Sequence, residues 1–250
     1  MQTTISPIDR LIVALDVDTR EESRALVKTL GDAVSFYKVG LQLFMGSGLA
    51  AVRDLLDAGK KVFLDLKIDD TPRTVKEAIR NVAREGVEFF TLQGNTETAK
   101  AAAEGRGASP RPKFLQVTYL SSWDLTDLRE QLNMGSAQGV DFDERVVSRA
   151  QRILDAGCDG VIASGTSVAR LRSAIPQILI VTPGIRPSGS ASDDHKRSLT
   201  PGDAIRAGAD HLVVGRPIRS SDDPRGTARH IQDEIAAALP AAAAAGTAVR

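Results

Sequence analysis

Eight short apolar runs rich in β-branched residues punctuate the chain: LIVAL (11–15), VSFYKVG (34–40), KVFLDLK (61–67), VEFFTL (87–92), KFLQVTYL (113–120), DGVIAS (159–164), ILIVTPG (178–184) and HLVVG (211–215). Most of the stretches between them carry apolar residues at helical spacing. Residues 20–30 set Ala25, Leu26 and Leu30 among charges, and residues 74–85 align Val75, Ala78, Ile79 and Val82 on one face. Residues 143–156 repeat the arrangement with Val146, Val147, Ala150, Ile153 and Leu154. Continuous apolar strands alternating with amphipathic helices predict a parallel sheet covered by helices.

The phrases DAGKKVFLD, REGVEFFT, DAGCDGVIAS and RAGADHLVVG repeat one junction, in which a helix ends at glycine and a strand follows within a few residues. Gly59, Gly86, Gly157 and Gly208 are therefore expected as left-handed helix C-caps. Eight strand segments in 250 residues predict an α/β protein, a (β/α)8 TIM barrel forming a single domain over 1–250. A doubly wound open sheet is the alternative. It normally announces itself by a G-x-G-x-x-G turn after the first strand, where this chain has ALDVDT.

No linker divides the sequence. GRGASPRP (105–112) reads as a connector, and RPSGSASDDHKRSLTP (186–201) as a lid, because long polar loops after barrel strands are usually functional. Residues 236–250 are an Ala-rich tail in which the last helix is expected to fray beyond Pro240.

Composition narrows the function. With 32 Lys+Arg against 32 Asp+Glu, the chain lacks the basic excess of a general nucleic-acid or anionic-membrane binder. A single cysteine, Cys158, excludes an intramolecular disulfide framework and a thiolate zinc site. No run approaches the roughly 20 apolar residues of a membrane span. The start shows no basic-then-apolar leader, so a cytoplasmic protein is expected.

Barrel enzymes draw their reactive groups from strand C-terminal ends. Read in order, those ends supply Asp16, Lys38, Asp65 with Lys67 and Asp70, Ser121, Arg186, and Gly215 with Arg216. Asp65 and Lys67 stand two apart, so strand alternation allows both to face the barrel mouth beside Lys38. A D-x-K-x-x-D run alone reads equally as a solvated charge cluster. Lys38 argues against that, because an unpaired ammonium inside FYKVGLQLF would be costly. Gly215 and Arg216 in VVGRP suit a phosphate, which barrels commonly hold after strands seven and eight. Cys158 and His211 read as core or structural residues, His230 as a surface residue, and Trp123 as a cover for the loop after strand five. The three histidines show no metal-ligand spacing.

The motifs FYKVG, VFLDLKIDDTPRTV, VTPGIRP and HLVVGRPI, in this order, closely resemble the orotidine 5′-monophosphate decarboxylase family over about residues 9–235. The resemblance implies a cofactor-independent, metal-free decarboxylation of orotidine 5′-monophosphate to UMP, the last step of UMP biosynthesis. It implies that Lys67 protonates the C6 carbanion, that Asp65 sits beside the substrate carboxylate, and that Asp16 and Lys38 bind ribose hydroxyls. Asp70 and Thr74 would reach the partner's site in a homodimer. Ser121 would meet the pyrimidine, and Arg186, Gly215 and Arg216 the phosphate. Three positions depart from the family pattern: His195 for a lid Gln that bridges phosphate and pyrimidine, Thr71 for an Ile in the pocket wall, and Arg73 for an Asn. Two rivals remain open. One is a magnesium-dependent phosphosugar lyase, whose relatives carry an acidic residue where Lys38 stands. The other is a catalytically dead nucleotide-binding barrel, motivated by His195 and Thr71.

Overall fold

The computed structural model describes residues 5–120, 123, 125–131, 141–187 and 199–240. Eight parallel strands close into a barrel in sequence order: β1 (Leu11–Ala14), β2 (Phe36–Gly40), β3 (Lys61–Ile68), β4 (Phe89–Leu92), β5 (Lys113–Val117), β6 (Gly160–Ile162), β7 (Leu179–Thr182) and β8 (His211–Val214). Strand β8 pairs back onto β1, with Leu11 beside Leu212 and Val13 beside Val214. The open doubly wound sheet is thereby excluded, and every apolar run read as a strand contributes one.

Helices follow the expected pattern, with Arg20–Leu30, Pro72–Val82 and Phe142–Asp155 covering the three amphipathic stretches. The first begins in a capping box, in which Thr19 accepts from the Glu22 amide and Glu22 reaches back to the Thr19 amide. Gly59, Gly86, Gly157 and Gly208 take φ of 69°, 82°, 101° and 104°, so each makes the left-handed turn between helix and strand that a Cβ would strain. Residue 201 belongs to a helix, Pro201–Arg206, capped by Thr200. Residues 188–198 of the expected lid lie outside the described residues. The loop's two ends are tied together, since the Arg186 amide donates to the Leu199 carbonyl at 2.9 Å.

Strand alternation divides the core. Outward-facing Leu11, Val13, Tyr37, Val39, Val62, Leu64 and Phe90 pack under the helices. Inward-facing Ile12, Ala14, Phe36, Phe63, Phe89, Leu115, Val181 and Val213 fill the barrel interior. Two residues further along each strand, on the same inward face, stand Asp16, Lys38, Asp65 and Thr91. The apolar interior thus gives way to a polar layer at the C-terminal mouth. Among the described residues, no helix is long and apolar enough to cross a membrane.

Candidate active site

The mouth of the barrel is a cavity of about 430 Å³. Asp16, Lys38, Asp65, Lys67, Arg186, Gly215 and Arg216, all singled out from the sequence, line it together. Ala14, Phe63, Val117, Ile162 and Val213 form its apolar surfaces.

Asp65 is the centre of the charge arrangement. Its Oδ1 accepts a hydrogen bond from Lys67 Nζ at 2.9 Å, and its Oδ2 lies 3.5 Å from Lys38 Nζ. Lys38 donates in turn to Asp16 Oδ1 at 3.0 Å. Burial pushes the Asp65 carboxyl upward, but the two ammonium charges and their hydrogen bonds outweigh it and hold the group below the ordinary carboxylate range. Burial likewise disfavours the charged form of Lys38, and Asp65 and Asp16 reverse it, leaving that amine raised. Both groups are therefore ionised at neutral pH. The ammonium inside an apolar strand is paired, as its position requires.

Gly40 makes room for this pair. A Cβ there would come 2.8 Å from Lys38 Nζ, which is pinned between two carboxylates and cannot retreat. At Gly215 the protein imposes no such bar, because a Cβ would meet Asp16 and Ala14 at 3.4 and 3.5 Å, ordinary contact distances.

The route by which Lys67 reaches Asp65 differs from simple alternation. Strand β3 loses register against β4: Leu64 pairs with Phe90 and Ile68 with Leu92, so residues 65–67 face Thr91 alone. Lys67 adopts φ +51°, the one positive φ of a non-glycine among the described residues. Such a backbone persists only where its surroundings enforce it. Thr91, fully buried, donates to Asp65 Oδ1 at 2.9 Å and accepts the Lys67 backbone N–H at 2.9 Å.

Asp70, Thr71 and Thr74 do not line this cavity. They are exposed at the start of the helix Pro72–Val82, where Thr71 donates its backbone N–H to Asp70 and the Thr71 and Thr74 hydroxyls meet at 3.0 Å. Ser121 and His195 lie outside the described residues. Trp123 stacks on Tyr119 with ring centroids 6.2 Å apart, beside the loop after β5 that it was expected to cover.

Sequence reading missed Thr91, Tyr119 and Arg219. Tyr119 and Arg219 both line the cavity. Arg219 follows Arg216 by one turn in the helix Arg216–Arg219, a spacing that puts both on one face. That spacing was the available signal.

The blander assignments stand on geometry. Cys158 is buried and its thiol is pushed up to about 12 by burial, the opposite of a reactive thiolate. His211 is buried at the opposite end of the barrel between Phe36 and Phe89. His230 is exposed, 3.5 Å from Glu234. Among the described residues, no three His, Cys, Asp or Glu side chains gather where they could hold a metal ion.

Comparison with known proteins identifies the chain's relatives. The model of the orotidine 5′-phosphate decarboxylase / HUMPS family matches residues 9–231. The orotidine 5′-phosphate decarboxylase of Methylobacterium sp. (strain 4-46) is 48% identical over 95% of this chain and 100% of its own length. That of Methylococcus capsulatus is 48% identical over 91% and 92%. A crystal structure of the enzyme from Lactobacillus acidophilus superposes with a TM-score of 0.77 at 35% identity, covering 90% of this chain and 98% of that one. The chain belongs to the orotidine 5′-phosphate decarboxylase / HUMPS family.

Proposed function

We propose that this protein decarboxylates orotidine 5′-monophosphate to UMP, with Lys67 as the proton donor and no cofactor. The observation that carries the reading is the Asp65 carboxylate clamped between the Lys38 and Lys67 amines on the floor of the mouth cavity.

Breaking the bond between C6 and the carboxylate releases CO2 and leaves the electron pair on C6, in the ring plane, where no π system spreads it. The Lys67 ammonium faces that carbon, stabilises the developing charge and donates its proton to it. Solvent then returns a proton to the neutral amine. Asp65 orients Lys67 and crowds the departing carboxylate, while Lys38 and Asp16 hold the ribose hydroxyls. Arg216, Arg186 and the Gly215 backbone take the phosphate, whose remote binding energy is used to desolvate the reacting end. Ser121 and His195 contact the base. Exposure of Asp70, Thr71 and Thr74 on the single chain leaves them available to a second subunit. The proposed assembly is a homodimer in which Asp70 and Thr74 complete the partner's site, and the proposed location of this one-domain protein is the cytoplasm.

Lys38 also separates this reading from a magnesium-dependent phosphosugar lyase, since an ammonium takes the place of an acidic ligand. Purified protein in excess EDTA is expected to consume orotidine 5′-monophosphate, followed by the fall in its absorbance, with UMP as product. Loss of activity on chelation would favour the lyase. Tight UMP binding without CO2 release would favour a nucleotide-binding barrel.

A further inference from the structure

Thr91 carries no charge and lies below the cavity surface, yet both oxygen functions of its hydroxyl are used. Opposite it, residues 65–67 bulge out of register, so the Lys67 amide has lost the β4 carbonyl that a regular parallel ladder would offer. A buried N–H needs another acceptor, and Thr91 Oγ1 supplies it at 2.9 Å. Because that lone pair is engaged, the hydroxyl proton is directed to Asp65 Oδ1, also at 2.9 Å. One atom therefore fixes the backbone of Lys67 and the carboxylate that receives its ammonium. The side chain is β-branched, which restricts χ1, and it is fully buried.

We propose that Thr91 is a positioning residue for Lys67, holding the bulge and the Asp65 carboxylate so that the ammonium is aimed into the cavity. This rests on the decarboxylase reading given above. A polar anchor set beneath the reacting group acts on the chemical step, because a small misplacement of a proton donor lowers kcat while the phosphate and ribose contacts that govern capture stay intact.

Steady-state kinetics with orotidine 5′-monophosphate on wild type, Thr91→Val and Thr91→Ser test this. Thr91→Val removes the hydroxyl and is expected to lower kcat about 100-fold with KM within about twofold. Thr91→Ser keeps the hydroxyl and is expected to recover kcat to within about fivefold of wild type. A Thr91→Val enzyme within about threefold of wild-type kcat, a serine variant no better than valine, or a loss confined to KM would overturn the proposal. Should Thr91→Val not fold, Thr91→Cys replaces it: its weaker donor is expected to leave kcat well below that of Thr91→Ser, and equality of the two would overturn the proposal. A wild type that leaves the substrate untouched overturns the functional reading and this inference together. An active wild type matched by Thr91→Val overturns this inference alone.

Discussion

Lys38 Nζ lies 3.5 Å from Asp65 Oδ2, with 12% and 13% of the two side chains exposed. Both groups lie far from water, and removing Lys38 leaves the buried Asp65 carboxylate with Lys67 where it had two cationic partners. Lys38→Met is therefore expected to destabilise the fold by about 1–3 kcal/mol. Adding Asp65→Leu to it should restore much of that loss, because two apolar groups replace two charges. Chemical denaturation of both variants reads the difference, and a double variant less stable than Lys38→Met would contradict the pairing.

Arg216 lies on the wall of the same cavity, in the helix that opens after β8. Its replacement by alanine is expected to raise KM for orotidine 5′-monophosphate far more than it lowers kcat, since a phosphate contact remote from C6 contributes mainly to capture. Turnover of phosphate-free orotidine should be nearly unaffected. Equal effects on nucleotide and nucleoside would remove Arg216 as the phosphate ligand.

Asp70 faces solvent on the single chain, and a partner's site is the proposed destination. Homodimers of Lys67→Ala and of Asp70→Asn are each expected to be nearly inactive. Mixed under exchanging conditions, they should regain up to about a quarter of wild-type activity, because one site of every heterodimer holds both native residues. An unchanged mixture in which heterodimers have demonstrably formed would place Asp70 in its own subunit's chemistry.

At the other end of the barrel, burial pushes His211 down to about 4, against a helpful contact from Nδ1 to the Asp9 carbonyl at 2.8 Å. The folded state thus refuses a proton that the unfolded chain accepts below about 6.5. Stability should therefore be unaffected by this group above pH 6.5, fall as pH drops from there toward 4, and level off below, a loss of about 3 kcal/mol in all. His211→Asn, whose amide can still reach Asp9, is expected to flatten that slope relative to wild type. Parallel slopes for the two proteins in urea melts across this window would contradict the assignment.

Much of this architecture is legible in the sequence because its causes are local. Each apolar run had to be buried on both faces, and Gly59, Gly86, Gly157 and Gly208 mark turns that few other residues allow. Lys38 was readable as a paired cation because an isolated one inside FYKVG would be too costly. The bulge at Lys67 was not readable. It arises from register against β4, a strand more than twenty residues away, and nothing in FLDLKID signals that one threonine faces three residues. Thr91 was hidden for the same reason: in FFTL it looks like an ordinary strand residue, and only the paired geometry gives its hydroxyl two partners. Gly40, not singled out in the sequence, is the N-cap of the helix Leu41–Ser47 and leaves space for the Lys38 ammonium.

The most direct measurement is the rate of orotidine 5′-monophosphate loss catalysed by Lys67→Ala, with UMP binding followed in parallel by calorimetry. Turnover below about a hundredth of wild type with binding retained is the predicted result, given the 10²–10⁴-fold that a positioned proton donor contributes. A variant that binds UMP and still decarboxylates above that level would show that another group protonates C6.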